Sequence, residues 1–114
     1  MMVSREILLP APRDLVWEAI TEEAQLAEWF ANDVSLDLRP GGDAVFRWDN
    51  GEVRHAEVEA VDPEECLRLR WEDDGVVELR LEDAAGGTRV LVRETAPDFS
   101  AALELRALAP CTTA

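Results

Sequence analysis

The side chains able to do acid–base, nucleophilic or metal chemistry are few. His55 is the single histidine among 114 residues, and Cys66 and Cys111 are the two cysteines. Neither cysteine has a histidine near it in sequence, so a Cys or Ser hydrolase triad is short of parts. No CxxC, HExxH or paired-histidine spacing occurs, which argues against a transition-metal site. The expected catalytic residues, metal ligands and cofactors are therefore none. What the chain does carry is a set of large apolar residues: Trp29, Phe30, Phe46, Trp48, Leu69, Trp71 and Leu79. Such residues, with few polar groups among them, suit the wall of a small-molecule site. His55 is the natural polar contact, and Arg47 or Glu94 are further ones. Taken singly, Trp17, Trp29 and Phe30 also fit ordinary core aromatics, and strand alternation favours the outer face for His55.

Charge narrows the partners. There are 25 acidic residues against 11 basic ones, a formal net charge of −14, and every basic residue is Arg. Such a surface repels phosphate backbones and anionic lipid, so nucleic-acid binding is not expected. A hydrophobic content of 47% indicates a globular chain. The length fits one domain over residues 1–114. No apolar run is long enough to span a membrane. The start, MMVSREILLP, has no secretory pattern, so a cytoplasmic protein with free thiols is the expectation.

Periodicity supplies the elements that would position these residues. Val3 to Leu9 reads as a strand ending at Pro10-Ala11-Pro12. Leu15, Val16, Ala19 and Ile20 then recur at helical spacing after Pro12, which suits a first helical turn. Thr21 is expected to cap a second helix whose buried face is Leu26, Trp29 and Phe30. From Val34 the pattern changes to alternation. Val34–Arg39 forms a strand, and Pro40-Gly41-Gly42 turns the chain. Ala44, Phe46 and Trp48 share one strand face, and Asn50-Gly51 signals a hairpin with positive φ at both positions. Ala56, Val58 and Ala60 face one way, with His55, Glu57 and Glu59 opposite. Leu67, Leu69 and Trp71, then Val77, Leu79 and Leu81, repeat the alternation, and Thr88–Thr95 is the last strand. An antiparallel meander after an isolated first strand is the expected sheet. After Pro97 a short helix over Ala101–Leu108 is predicted, stopped by Pro110.

In this order the residues resemble the START-like helix-grip superfamily (SRPBCC), within it the family named after the activator of the heat-shock-protein ATPase. The resemblance is carried by Ala11-Pro12-Arg13-Asp14-Leu15-Val16-Trp17-Glu18-Ala19-Ile20-Thr21 and Leu26-Ala27-Glu28-Trp29-Phe30. It continues through Asp37-Leu38-Arg39-Pro40-Gly41-Gly42, Val61-Asp62-Pro63, Leu67-Arg68-Leu69-Arg70-Trp71 and Gly86-Gly87-Thr88-Arg89-Val90. It implies an α+β helix-grip fold: a curved antiparallel sheet of about seven strands, two short helices after strand 1, and a C-terminal helix over an apolar cavity. The resemblance places the concave face on Phe46, Trp48, Leu69, Trp71, Leu79 and Val92. Relatives carry a longer final helix, so a shortened one is expected to leave part of the face uncovered. A homodimer or another protein partner would then complete that groove.

Three functions fit. The first is a non-catalytic domain binding a hydrophobic ligand, lipid or polyketide-like molecule between sheet and helices. The second is a protein-interaction module resembling the chaperone ATPase activator, with acidic surface meeting a basic patch. The third is a cyclase- or hydrolase-like enzyme using His55, Glu57 or Glu94 in an apolar pocket. The lack of a nucleophile–base pair ranks it last.

Overall fold

The first strand, β1 (Val3–Leu9), is followed by two helices, α1 (Arg13–Thr21) and α2 (Glu23–Trp29). Six strands come next: β2 (Asp33–Leu36), β3 (Asp43–Arg47), β4 (Val53–Asp62), β5 (Cys66–Trp71), β6 (Val76–Ala84) and β7 (Gly87–Glu94). This is a computed structural model, and it describes residues 2–95 and residue 102. Of the helix expected at Ala101–Leu108 only Ala102 is described, and it is helical; the rest lies outside the described residues. All seven strands form one antiparallel sheet in the order β1-β7-β6-β5-β4-β3-β2. The meander is the expected one, and β1 closes onto the last strand, from Val3 opposite Glu94 to Leu9 opposite Thr88.

Alternation puts one face of this sheet in the core. Ala44, Phe46, Val58, Leu69, Val77, Leu79 and Val90 are fully or almost fully buried, and the helices add Val16, Ile20 and Leu26. Burying each such side chain stabilises the fold by about 1.5–3 kcal/mol relative to exposure. α1 packs against β6 and β7, and α2 lies beside β2. There the Glu23 carboxylate accepts from the Leu36 N–H at 2.7 Å, and the Trp29 indole N–H donates to the Ala19 carbonyl at 2.8 Å. A long-range tie holds the entry to α1: the Thr88 hydroxyl donates to the Ala11 carbonyl at 2.7 Å.

Four local expectations are corrected. Leu15 does not join the buried stripe of α1; it is 51% exposed, while Val16, Ala19 and Ile20 go inward. Pro12 is the N-cap, with its carbonyl accepting from Leu15 and Val16, and this phase turns Leu15 to solvent. Thr21 does not cap α2. It ends α1, and its hydroxyl donates back to the Trp17 carbonyl at 2.6 Å, so Glu22 becomes the extended residue between the helices. The strand expected over Val34–Arg39 stops at Leu36. Asp37–Gly42 instead folds on itself, with the Gly42 N–H donating to Arg39 and the Gly41 N–H reaching the Val58 carbonyl at 2.8 Å. Finally, Asn50-Gly51 does turn the chain, but with positive φ at Gly51 alone among the two, which makes a longer loop than the two-residue type.

A fifth correction concerns β4. Its pairing with β5 shifts register between Val58 and Ala60, leaving Glu59 as the extra residue of a bulge. Alternation restarts beyond it. Ala60, expected on the face of Ala56 and Val58, is exposed opposite Arg68, and Val61 turns toward the core opposite Leu67.

Candidate ligand-binding site

Trp29, Phe30, Phe46, Trp48 and Trp71 come together at the β2–β5 end of the buried face. Phe30 is the hub, because it follows α2 directly and leans onto the sheet. Its ring lies 5.2 Å from Phe46 and 5.4 Å from Trp48, both edge-to-face, and 5.8 Å from Trp29. Phe46 and Trp71 are 5.5 Å apart. Tilted and edge-to-face pairs of this kind add roughly 0.5–1.5 kcal/mol each beyond area burial. The indole N–H groups of Trp29 and Trp48 are satisfied by backbone, donating to the Ala19 and Phe30 carbonyls at 2.8 Å each. Phe46, Leu69, Trp71 and Leu79 form the buried floor, while Trp29, Phe30 and Trp48 stay half-buried.

His55 is elsewhere. It is exposed on the outer face, one residue out of phase with buried Ala56. There it lines an open hollow of about 320 Å³ with Glu57, Arg70, Glu72 and Asp74. Arg47 is likewise on the outer side, paired to Asp33 at 3.1 Å. Glu94, by contrast, faces inward with Val92 and is 2% exposed.

The polar residue that sequence reasoning passed over is Arg54. It stands opposite Phe46 in the β3–β4 register and so shares the inner face. Its guanidinium carbon lies 3.9 Å from the centroid of the Trp71 ring. The signal was available: counting back by two from Val58 and Ala56 arrives at Arg54. A charged residue in that phase was simply not followed past the first turn.

The outer face is an ion-pair ladder. Glu59 accepts from Arg68 at 2.7 Å and from Arg70 at 2.6 Å, and Glu78 bridges Arg68 and Arg80 at 3.3 Å each. The two guanidinium hydrogen bonds, from Arg68 first and Arg70 second, hold the Glu59 carboxyl below its usual range. Burial pushes the Cys66 thiol up, the direction of a poor nucleophile. Among the described residues, no three His, Cys, Asp or Glu side chains are grouped so as to hold a metal ion. No helix among them is long and apolar enough to cross a membrane.

A seven-strand antiparallel sheet with two helices after its first strand and an aromatic-lined inner face defines a START-like helix-grip domain. The chain belongs to the Activator of Hsp90 ATPase homolog 1-like family (AHSA1), whose sequence profile matches residues 10–107. Among solved structures it is similar to DynU16, a protein in the dynemicin biosynthetic locus, with 26% identity and a TM-score of 0.79. That match covers 90% of this chain and 45% of DynU16. It is similar to protein MLL2253 from Mesorhizobium loti, at 24% identity, TM-score 0.76, covering 86% of this chain and 79% of that one. The Aha1 dimer from Colwellia psychrerythraea shares the fold at 20% identity and TM-score 0.74, over 93% of this chain and 87% of that one. No curated protein sequence matches the chain.

Proposed function

We propose that this domain binds a small, mainly apolar molecule against the inner face of its sheet, without catalysing a reaction on it. One observation carries this: half-buried Phe30 and Trp48 stand over a floor of Phe46, Trp71, Leu69 and Leu79. Ligand sites are typically such apolar walls with a few placed polar groups, and Arg54 and Glu94 supply opposite charges on that same face. The fold likeness to a protein of a biosynthetic locus is in keeping with a small-molecule partner.

The test is titration with the neutral dye N-phenyl-1-naphthylamine, with native mass spectrometry of the complex. Saturable blue-shifted fluorescence and a complex of one dye per chain are expected. Fluorescence that never saturates, with an unshifted apo mass, overturns the proposal.

Self-association is a second proposal, favoured by one fact: the Colwellia psychrerythraea relative is a dimer. Light scattering of the eluting protein should give twice the mass of one chain; the mass of a single chain rejects it. Binding to a chaperone partner, the remaining role suggested by the family's description, is tested by pull-down at two salt concentrations. Retention at the higher salt is expected of specific contact, and loss there points to bulk charge.

A further inference from the structure

We propose that β1 is the docking edge for a second copy of this chain. The two β1 strands pair antiparallel into one continuous sheet, with Arg5 opposite its own copy. This rests on the self-association proposed above and names its surface.

The two edges of the sheet are unlike. β2, at one end, is four residues long, with α2 beside it and the Leu36 N–H already taken by the Glu23 carboxylate at 2.7 Å. Shortness and cover of that kind close an edge to further pairing. β1, at the other end, pairs with β7 without a break from Val3 to Leu9, with neither a proline nor a bulge. Among the described residues no strand lies on its far side. Its outward N–H and C=O groups are a template for one more antiparallel strand. A two-fold pairing of β1 uses up both open edges, so the assembly closes at a dimer.

Side chains select the occupant. Two of the exposed large apolar residues, Leu8 at 56% and Met2 at 40%, stand on the outer side of this edge, out of phase with buried Ile7 and Leu9. Directly opposite residues of an antiparallel pair share a face. With Arg5 at the two-fold axis, Met2 meets Leu8 of the second copy, Ser4 meets Glu6, and Val3 meets Ile7, each pair occurring twice. Centring the pair on Glu6 instead sets two carboxylates opposite and gives Leu8 only Ser4. The cost of the Arg5 register is one like-charge pair, and Arg5 already has an interaction of its own.

Charge agrees. The chain carries −14 overall, so two copies repel over most of their surface. β1 holds one Arg and one Glu, the latter paired to Arg89 at 2.7 Å. It therefore presents an edge of no net charge.

Light scattering over a concentration series reads the dimer, and a cysteine cross-link reads its register. Wild type should reach twice the mass of one chain. Leu8→Lys charges an exposed edge position and removes two apolar contacts, and it should weaken the dimer by about tenfold or more. Leu15→Lys, at a similarly exposed position on α1, should leave the dimer unchanged. In a Cys66→Ser, Cys111→Ser background, Arg5→Cys should give a disulfide-linked dimer on mild oxidation, because directly opposite Cβ atoms lie about 4.5–5.5 Å apart. Leu15→Cys in the same background should not. Urea midpoints check that each variant is folded. If wild type keeps the mass of one chain at every concentration, self-association falls and this edge with it. If wild type is a dimer that Leu8→Lys does not weaken, or Arg5→Cys cross-links no more than Leu15→Cys, the β1 edge is overturned while self-association stands.

Discussion

The indole N–H of Trp48 donates to the backbone carbonyl of Phe30 at 2.8 Å, joining the residue that follows β3 to the residue that ends α2. Neither residue is in a strand ladder, so a side chain does here what a backbone pair does elsewhere in the sheet. It fixes Phe30 at the centre of the aromatic cluster, and Phe30 in turn sets the height of the helix pair over the inner face.

Trp48→Phe keeps most of the ring contact and deletes the donor. Removing one partner of a part-buried hydrogen bond leaves the other to be desolvated, at a cost of about 1–2 kcal/mol. Urea unfolding should show that loss as a lowered midpoint with an unchanged slope. An unaltered midpoint would mean the bond does not hold the helix pair.

Gly87 is required for a different reason. A Cβ built there would lie 2.0 Å from the Leu9 carbonyl oxygen and 3.0 Å from the Ala11 nitrogen, both backbone atoms of the β1 exit. The strand pair must therefore separate to admit it. Gly87→Ala should cost more than about 3 kcal/mol, the scale of the larger single-site effects. Gly51→Ala is the control: nothing lies within 4 Å, but φ is +92, so only a left-handed backbone penalty of about 1 kcal/mol applies. Thermal melts of the two variants should differ accordingly; equal losses would sink the steric account.

The strand order and the two helices were legible because alternation and helical spacing report burial directly, and Val77-Leu79-Leu81 or Val16-Ala19-Ile20 have no other consistent reading. What failed was local competition. Thr21 had two hydrogen-bonding choices, forward to α2 or back to Trp17, and sequence does not rank them. The bulge at Glu59 was invisible because it needs β5 in place: Arg68 and Arg70 on the partner strand hold the extra residue's carboxylate. For the site, the apolar positions were legible as a set. The phase of Arg54 was not used, and His55 was offered as a polar contact although alternation favoured the outer face, where it lies.

Glu59 gives a pH prediction with a definite sign. Hydrogen bonds from Arg68 and Arg70 lower its folded pKa below the ordinary 4.5. A depressed carboxyl contributes stability that is present above the unfolded pKa and lost as pH falls through the folded one. Glu59→Gln should therefore lower stability at neutral pH by under about 1 kcal/mol, as expected for a solvent-accessible pair. The gap between variant and wild type should close as pH falls below 4.5. Denaturation midpoints from pH 7 down to 3 would show it. A gap that widens on acidification would reverse the assignment.

The last prediction separates the two faces of the sheet. His55 is exposed beside Glu57, Arg70 and Glu72, whereas Phe30 sits 5.2 Å from Phe46 on the inner side. If small molecules bind the inner face, His55→Ala should leave N-phenyl-1-naphthylamine binding unchanged. Phe30→Leu should weaken it, because a smaller aliphatic side chain loses the edge-to-face contacts and part of the apolar area, worth roughly tenfold at about 1.4 kcal/mol. Phe30→Leu also removes packing from the folded state, so its stability must be measured alongside and the titration run where it remains folded. The opposite result, loss with His55→Ala and none with Phe30→Leu, would move the site to the outer hollow. There Trp71 is the one aromatic among mostly polar and charged lining residues, so a neutral apolar dye would find less apolar surface than on the inner face.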